Sequence, residues 1–89
     1  ALNVSTTGDD NTALGLCALI SNTTASDNVA VGSCSLDANT TGANNTAVGM
    51  LSLSSNTTAS NNTGIGRGAL KVNTTGAANT AVGYRSKHF

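Results

Sequence analysis

The chain has 89 residues, of which 9% are charged and 2% are aromatic, and its formal net charge is zero. This length allows one domain at most, and so few large apolar side chains exclude the core of an ordinary globular domain. Without a basic stripe or stacking aromatic residues, nucleic-acid binding is also excluded. The longest apolar stretch, residues 13–20, is interrupted by a glycine and is far too short to span a bilayer.

The sequence repeats every 17 residues. Each repeat begins with an asparagine that opens a segment close to Asn-Thr-Ala-Val-Gly: Asn11, Asn28, Asn45, Asn62 and Asn79. With that asparagine as position 1, the consensus is N-T-A-V-G-x-x-[AS]-L-x-x-N-T-T-[GA]-x-[ND]. A fixed short period means that each repeat is one structural turn that buries its apolar face against its neighbours. A disordered low-complexity chain would have no reason to keep this register.

Two rows of large apolar residues recur in the repeat, and we expect both to form the core. The position-4 row is Leu14, Val31, Val48, Ile65 and Val82, and the position-9 row is Leu2, Leu19, Leu36, Leu53 and Leu70. Position 5 is always glycine (Gly15, Gly32, Gly49, Gly66 and Gly83), which predicts a corner that needs φ > 0 or has no room for a Cβ. Position 15, which alternates between Gly and Ala, predicts a second and less demanding corner.

Thr, Val and Leu favour extended backbone, and the segments between the predicted corners are short. We therefore predict an all-β parallel β-solenoid (a β-roll or β-helix) with 17 residues per coil, about five coils, and two or three short strands in each coil. The solenoid would cover residues 1–85 and leave 86–89 as a C-terminal tail. Asn ladders at positions 1 and 12 would hydrogen-bond side chain to side chain along the axis, and Thr ladders at positions 13 and 14 would do likewise on opposite faces. A helix is disfavoured because apolar residues do not recur at spacings of three and four.

Cys17 and Cys34 both occupy position 7, one coil apart. Stacked coils would place their Cα atoms about 4.8 Å apart, within the range that a disulfide allows. A disulfide would indicate an oxidising, extracellular environment, and the alternative is two free thiols in a row. Without a histidine nearby, the pair does not predict a zinc site.

The charges are separated along the sequence. All four acidic residues come early (Asp9, Asp10, Asp27 and Asp37), and all four basic residues come late (Arg67, Lys71, Arg85 and Lys87). One end of a solenoid would thus be acidic and the other basic. Because Ala1 continues the phase that Arg85 leaves, a second copy could extend the coil in register, and open strand edges invite such contact. We predict that Asp9, Asp10, Arg85, Lys87 and Phe89 form the contact surfaces of a head-to-tail filament.

Seven N-x-[ST] sequons are candidates for N-glycosylation: Asn3, Asn22, Asn39, Asn44, Asn56, Asn61 and Asn73. Four of them share position 12, so glycans there would form a row along one edge. The alternative is that an Asn/Thr-rich repeat generates sequons through its composition alone.

No catalytic, metal or cofactor site is predicted. His88 is the only histidine and has no nucleophile in a recognisable motif around it. The segment 64–68, Gly-Ile-Gly-Arg-Gly, is similar to a phosphate-binding loop, but it occupies repeat positions 3 to 7 and no helix is predicted after it. Asp9 and Asp10 lack the glycine-aspartate nonapeptide pattern of calcium-binding rolls.

The Asn-Thr-Ala-Val-Gly segment followed by Ala/Ser-x-Leu resembles the head repeats of YadA-like trimeric autotransporter adhesins. The whole unit, as in residues 45–58, looks still more similar to the Asn-Thr-Ala-Val-Gly…Asn-Thr-Thr-Gly arrays of phage-type tail-fibre proteins. The resemblance covers nearly the whole chain and implies a surface fibre or adhesin that is commonly trimeric. A trimer needs an apolar outer face, which we expect only from the alanines of position 3 and scattered residues of position 11.

These patterns predict a non-enzymatic structural subunit of an extracellular fibre or filament at a cell or virion surface, with itself as partner and with glycans where sequons allow. No cofactor, nucleic acid or membrane is expected to bind. A segment of a trimeric adhesin or tail fibre is the first alternative. The second is an ice-binding solenoid, because the position-13 threonines and most position-2 residues are Thr, although Val29 interrupts the latter row and no strand shows Thr-x-Thr.

Overall fold

The computed structural model describes residues 8–86, which form an all-β structure. Each coil contains one strand of three residues: β1 (Thr12–Leu14), β2 (Val29–Val31), β3 (Thr46–Val48), β4 (Thr63–Ile65) and β5 (Thr80–Val82). The strands pair in parallel in chain order, and each residue pairs with the one 17 positions further on. The predicted parallel β-solenoid is thus confirmed, but with one strand per coil instead of two or three.

The corner after each strand is formed by the position-5 glycines, whose φ angles lie between 121° and 127°. L-amino acids rarely adopt this conformation. A Cβ on Gly32 or Gly49 would also lie 2.6 Å from the backbone of the equivalent glycine in the next coil. Both the backbone angle and the close stacking therefore require glycine at this corner.

After the corner, the chain makes three successive β-turns. In the first coil these turns are closed by hydrogen bonds from Ala18 N to Gly15 O (3.3 Å), from Ile20 N to Cys17 O (3.2 Å) and from Asn22 N to Leu19 O (3.2 Å). The third residues of the first two turns, at positions 7 and 9, have positive φ in each described coil. That geometry usually selects Gly or Asn, and other residues adopt it at a cost of about 1–2 kcal/mol. The burial of the position-9 leucine offsets this cost.

The core is narrow and consists of three rows. Leu19, Leu36 and Leu53 are fully buried and Leu70 nearly so, which confirms the position-9 row over the described residues; Leu2 lies outside them. The other two rows are small residues: Ala or Ser at position 8, and Ala or Gly at position 3. Because each leucine faces only small neighbours, the two walls of the coil come close together.

The position-4 row was wrongly predicted to lie in the core. Leu14 and Val82 are 66% and 67% exposed, Ile65 is 39% exposed, and Val31 and Val48 are half-buried on the same outer face. Successive side chains of a strand point to opposite faces, and position 3 is the inner one: Ala30, Ala47 and Ala81 are buried. The space between the sheet and the leucine row holds only an alanine or glycine at position 3, so a Val or Ile would be too large for it.

The second predicted corner, at position 15, is also corrected. The glycines there do not have left-handed φ angles. The left-handed residue lies two positions later, at position 17, where Asp10, Asp27, Asn44, Asn61 and Ala78 have φ between 58° and 64°. Asp and Asn tolerate this region better than most residues. The residues at position 15 are small for another reason: a Cβ on Gly42 would collide with the carbonyl oxygen of Ala59 in the next coil.

Replacing Leu53 by Ala should lower the free energy of unfolding by about 2–5 kcal/mol, because it leaves a cavity in the middle of the leucine row. Ile65→Ala serves as the control, because the side chain of Ile65 is much more exposed than that of Leu53. It should lower the free energy of unfolding by less than about 1 kcal/mol. Urea denaturation monitored by circular dichroism measures both values. A cost for Ile65→Ala equal to that of Leu53→Ala would contradict the assignment of position 4 to the outer face.

Candidate functional site

The position-12 asparagines form a continuous row inside the solenoid. Asn39 Nδ2 donates to Asn22 Oδ1 (3.2 Å), Asn56 Nδ2 donates to Asn39 Oδ1 (3.0 Å), and Asn73 Nδ2 donates to Asn56 Oδ1 (3.2 Å). Each Nδ2 in the row also donates to the position-15 carbonyl of its own coil, as from Asn39 to Gly42 O at 2.9 Å. The side-chain ladder predicted at position 12 is therefore confirmed.

The position-1 asparagines join the coils in a different way from the one predicted. Asn28 Oδ1 accepts the backbone N–H of Asn45 (2.9 Å), and Asn28 Nδ2 donates to the backbone oxygen of Gly42 (2.9 Å). These bonds run from side chain to main chain, whereas we expected them to run from side chain to side chain. The oxygen of Gly42 thus accepts two amide donors, one from each asparagine row.

The buried asparagine row corrects the glycosylation prediction. A glycan is attached to Nδ2, and in Asn22, Asn39 and Asn56 this atom is fully buried and donates hydrogen bonds. Asn73 is half-buried and its Nδ2 donates to two oxygens, so the predicted row of glycans is incompatible with the folded coil. Asn44 and Asn61 are exposed on neighbouring coils and stay candidates, while Asn3 lies outside the described residues.

The two threonine rows differ in exposure. At position 13, Thr23 Oγ1 donates to Thr40 O and Thr40 Oγ1 donates to Thr57 O, both at 3.3 Å. These two hydroxyls are therefore used in hydrogen bonds between coils. The position-14 row is exposed and consists of Thr24, Thr41, Thr58 and Thr75.

The outer face of the sheet is the apolar surface that sequence reasoning missed. It presents position 2, mostly Thr, beside the position-4 row of Leu, Val and Ile. Exposed Leu16, Met50 and Tyr84 follow at position 6. This surface depends on which strand residues face outwards: position 3 faces the core, so positions 2 and 4 face out. The signal available in the sequence was the small residue at position 3, which leaves room for the leucine of position 9. A second threonine row next to the first is not present on this face, so ice binding stays an unsupported prediction.

Cys17 and Cys34 are half-buried, and both are free thiols in the structure. Burial raises the pKa of the Cys17 thiol, and the neighbouring Cys34, which shares a hydrogen bond with it, raises this pKa further. The Cys17 thiol is thus held in its protonated form, and the disulfide stays a prediction.

Most of the charged residues are separated around the coil as well as along the axis, although Asp37 and Lys71 share position 10. Asp9, Asp10 and Asp27 occupy positions 16 and 17, before the strand, whereas Arg67 and Arg85 occupy positions 6 and 7, after it. Two copies stacked in register would therefore place Asp9 and Asp10 over alanines, not over arginines. Lys87 and Phe89, the other predicted contact residues, lie outside the described residues.

Within residues 8–86, no group of three His, Cys, Asp or Glu side chains lies close enough to hold a metal ion. The same residues form no helix long and apolar enough to cross a membrane. Comparisons with protein-family models, with curated proteins and with solved structures found no match for this chain. The surfaces of the solenoid must therefore be interpreted from their own geometry.

Replacing Asn39 by Ala should lower the free energy of unfolding by about 2–3 kcal/mol. The substitution removes the donor to Asn22 Oδ1 and the acceptor of Asn56 Nδ2, and a buried polar group left unpaired costs about 1–3 kcal/mol. Thr41→Ala, in the same coil but exposed, is the control and should stay within about 0.5 kcal/mol of the unmodified chain. Equal stabilities of the two variants in thermal unfolding would show that the row does not stabilise the stack.

Proposed function

We propose that this chain is a structural module of an extracellular fibre or filament, in which copies continue the coil head to tail. The observation that carries the proposal is that the sheet formed by residues 8–86 ends in two strand edges in line with the axis. Among residues 8–86, β1 pairs only with β2 and β5 pairs only with β4. Open edges of this kind are templates for another strand.

The hydrogen bonds inside the chain define what a junction between copies would look like. Thr12, Thr46 and Thr63 each donate their backbone N–H to the position-1 oxygen of the next coil at 2.8–2.9 Å. The equivalent N–H of Thr80 faces the open end and would donate to Asn11 O of the next copy. Asn79 Oδ1 would accept Asn11 N, as Asn62 Oδ1 accepts Asn79 N at 2.9 Å within the chain.

The charge separation contributes little to this junction. In-register stacking does not bring the acidic and basic residues into contact, so backbone pairing and the asparagine rows are the main source of affinity. The role needs no catalytic residue, metal or cofactor. An extracellular location, at a cell or virion surface, is supported by the resemblance of the repeat to surface-fibre arrays.

The Thr80→Pro variant should lose end-to-end assembly. Proline removes the N–H that would donate across the junction, and edge strands tolerate it because that N–H is not used inside the chain. Thr80→Val is the matched control: it keeps the N–H, has a β-branched side chain of similar size, and should assemble normally. Electron microscopy and sedimentation of the three proteins measure the effect, and filaments of the unmodified chain should diffract near ~4.8 Å along the axis.

Filaments that form equally well from Thr80→Pro would exclude the strand-edge junction. An unmodified chain that forms no filaments at any concentration would contradict the head-to-tail proposal itself. Circular dichroism of each variant separates loss of assembly from loss of folding.

A trimeric fibre is the second candidate, and the exposed sheet face favours it. From the sequence we expected too little apolar surface for such an assembly, but the position-4 row lies outside and runs the full length of the described sheet. Copies packed side by side would bury this row together with Leu16, Met50 and Tyr84. Parallel solenoids of the same repeat match each other in pitch, so every coil would contribute the same contact.

Replacing Ile65 by Glu should dissociate a side-by-side oligomer, because it introduces a charge into the apolar row without disturbing the core. Thr58→Glu introduces the same charge on an exposed position away from the sheet and should leave the oligomer intact. Analytical ultracentrifugation over a range of concentrations measures both. A monomeric unmodified chain, or a trimer unaffected by Ile65→Glu, would contradict the second candidate.

A further inference from the structure

A basic pocket lies on the flank of the solenoid near its C-terminal end. Its volume is about 230 Å³, and its lining consists of Leu51, Arg67, Gly68, Lys71, Tyr84 and Arg85. Three of the four basic residues of the whole chain thus line one pocket. Among the described residues, no carboxylate lines it.

The pocket exists because one residue of the position-7 row has no side chain. The row is Cys17, Cys34, Leu51, Gly68 and Arg85, and all five have φ between 53° and 72°. Gly68 leaves a gap one coil deep between Leu51 and Arg85. A Cβ on Gly68 would lie 3.3 Å from Arg85 Cγ, so a larger side chain would occupy the space between the basic groups.

Three cationic side chains line this pocket, and none of the carboxylates of the described residues does. Lys71 lies in the position-10 row, where the nearest acidic residue, Asp37, is two coils away, or about 10 Å. The guanidinium of Arg85 lies over the ring of Tyr84, 5.9 Å from its centroid. This contact holds one cationic group at the wall of the pocket.

We propose that this pocket binds a doubly charged tetrahedral oxyanion: free phosphate, free sulfate or a phosphate monoester. Arg67, Lys71 and Arg85 supply the charge-assisted donors that such groups prefer. The volume is below the roughly 300–1,000 Å³ of pockets for drug-sized ligands, which fits a small group rather than a whole organic molecule. A single carboxylate would leave most of the positive charge uncompensated.

The binding mode differs from that of a phosphate loop, although the pocket includes part of the glycine-rich segment 64–68. The amide of Gly68 donates to Met50 O (2.9 Å) and the amide of Arg85 donates to Arg67 O (2.8 Å). These backbone donors are already used between coils, so the side chains must hold the anion. The pocket includes no strand residue, so the proposal does not depend on the strand-edge junction of a head-to-tail filament. A side-by-side oligomer that buried Tyr84 would cover one wall of the pocket.

Titration calorimetry with inorganic phosphate, at low ionic strength and a pH at which phosphate is mostly dianionic, tests the proposal. Saturable binding is expected for the unmodified chain, and Arg67→Gln or Lys71→Gln should weaken it at least about tenfold. Asn44→Asp shifts the net charge by the same amount on an exposed site far from the pocket, and it should leave the affinity nearly unchanged. Equal weakening by Asn44→Asp would show that only the net charge matters and would overturn the site.

Gly68→Leu tests the gap directly, because it fills the pocket and keeps every charge. The fold should accept it, since Leu51 occupies the equivalent position of the preceding coil with φ of 63°. Binding should be lost while the circular dichroism spectrum is unchanged. Cys34→Leu, in the same row but two coils away, is the control and should bind phosphate normally. A Gly68→Leu chain that folds and binds like the unmodified one would overturn the proposal.

The source of the anion is distinguished by comparing inorganic phosphate, inorganic sulfate and a monophosphate ester. Tighter binding of the ester would indicate an anionic group carried on a larger molecule, whereas equal binding would indicate the free ion. No saturable binding of any of the three at millimolar concentration would exclude the pocket as an anion site.

Discussion

The two buried asparagine rows are the constraint on which the rest of the structure depends. Each position-12 asparagine bonds to the equivalent residue in the next coil, and each position-1 asparagine bonds to the backbone of that coil. Buried amides without partners are costly, so a shift of the register by one residue would leave all of them unpaired at once. The 17-residue period is therefore enforced by hydrogen bonds inside the coil, in addition to those of the strands.

Close stacking in this register leaves little room inside the coil, and the serines of position 8 show how little. Ser52 Oγ donates to the oxygen of Gly64 at 2.8 Å, and a Cβ on Gly64 would lie 2.8 Å from that hydroxyl. In the preceding coil the residue equivalent to Gly64 is Ala47, and there Ser35 Oγ is buried without a partner. One methyl group thus decides whether a hydroxyl in the core is paired, which explains why the larger residues Val, Ile and Met lie outside.

The periodicity of the sequence was sufficient to predict the architecture, because a repeat this short can bury its apolar side chains only against the neighbouring repeats. It also predicted the position-5 corner and the leucine row. These two positions keep the same residue in every described coil, because the corner needs glycine and the core has room for one leucine per coil. It did not predict which side of the strand faces inwards, since large apolar residues at position 4 suggested a core. The positive φ angles of the four position-9 leucines could not have been expected either. Local preference disfavours that conformation, and only their complete burial in the stacked structure compensates for it.

The same argument indicates where function can reside in such a solenoid. Positions 1, 3, 5, 8, 9, 12 and 15 are restricted to small residues, Leu or Asn by stacking, so they cannot vary to create a site. Positions 6 and 10 differ in every described coil, and position 7 changes from cysteine in the first two coils to Leu51, Gly68 and Arg85 in the next three. A substitution there changes the surface of one coil and leaves the hydrogen bonds of the stack intact. The basic pocket is such a case: a glycine in one coil opens a gap, and the charged residues around it supply the chemistry, while the fold beneath remains the same in each turn.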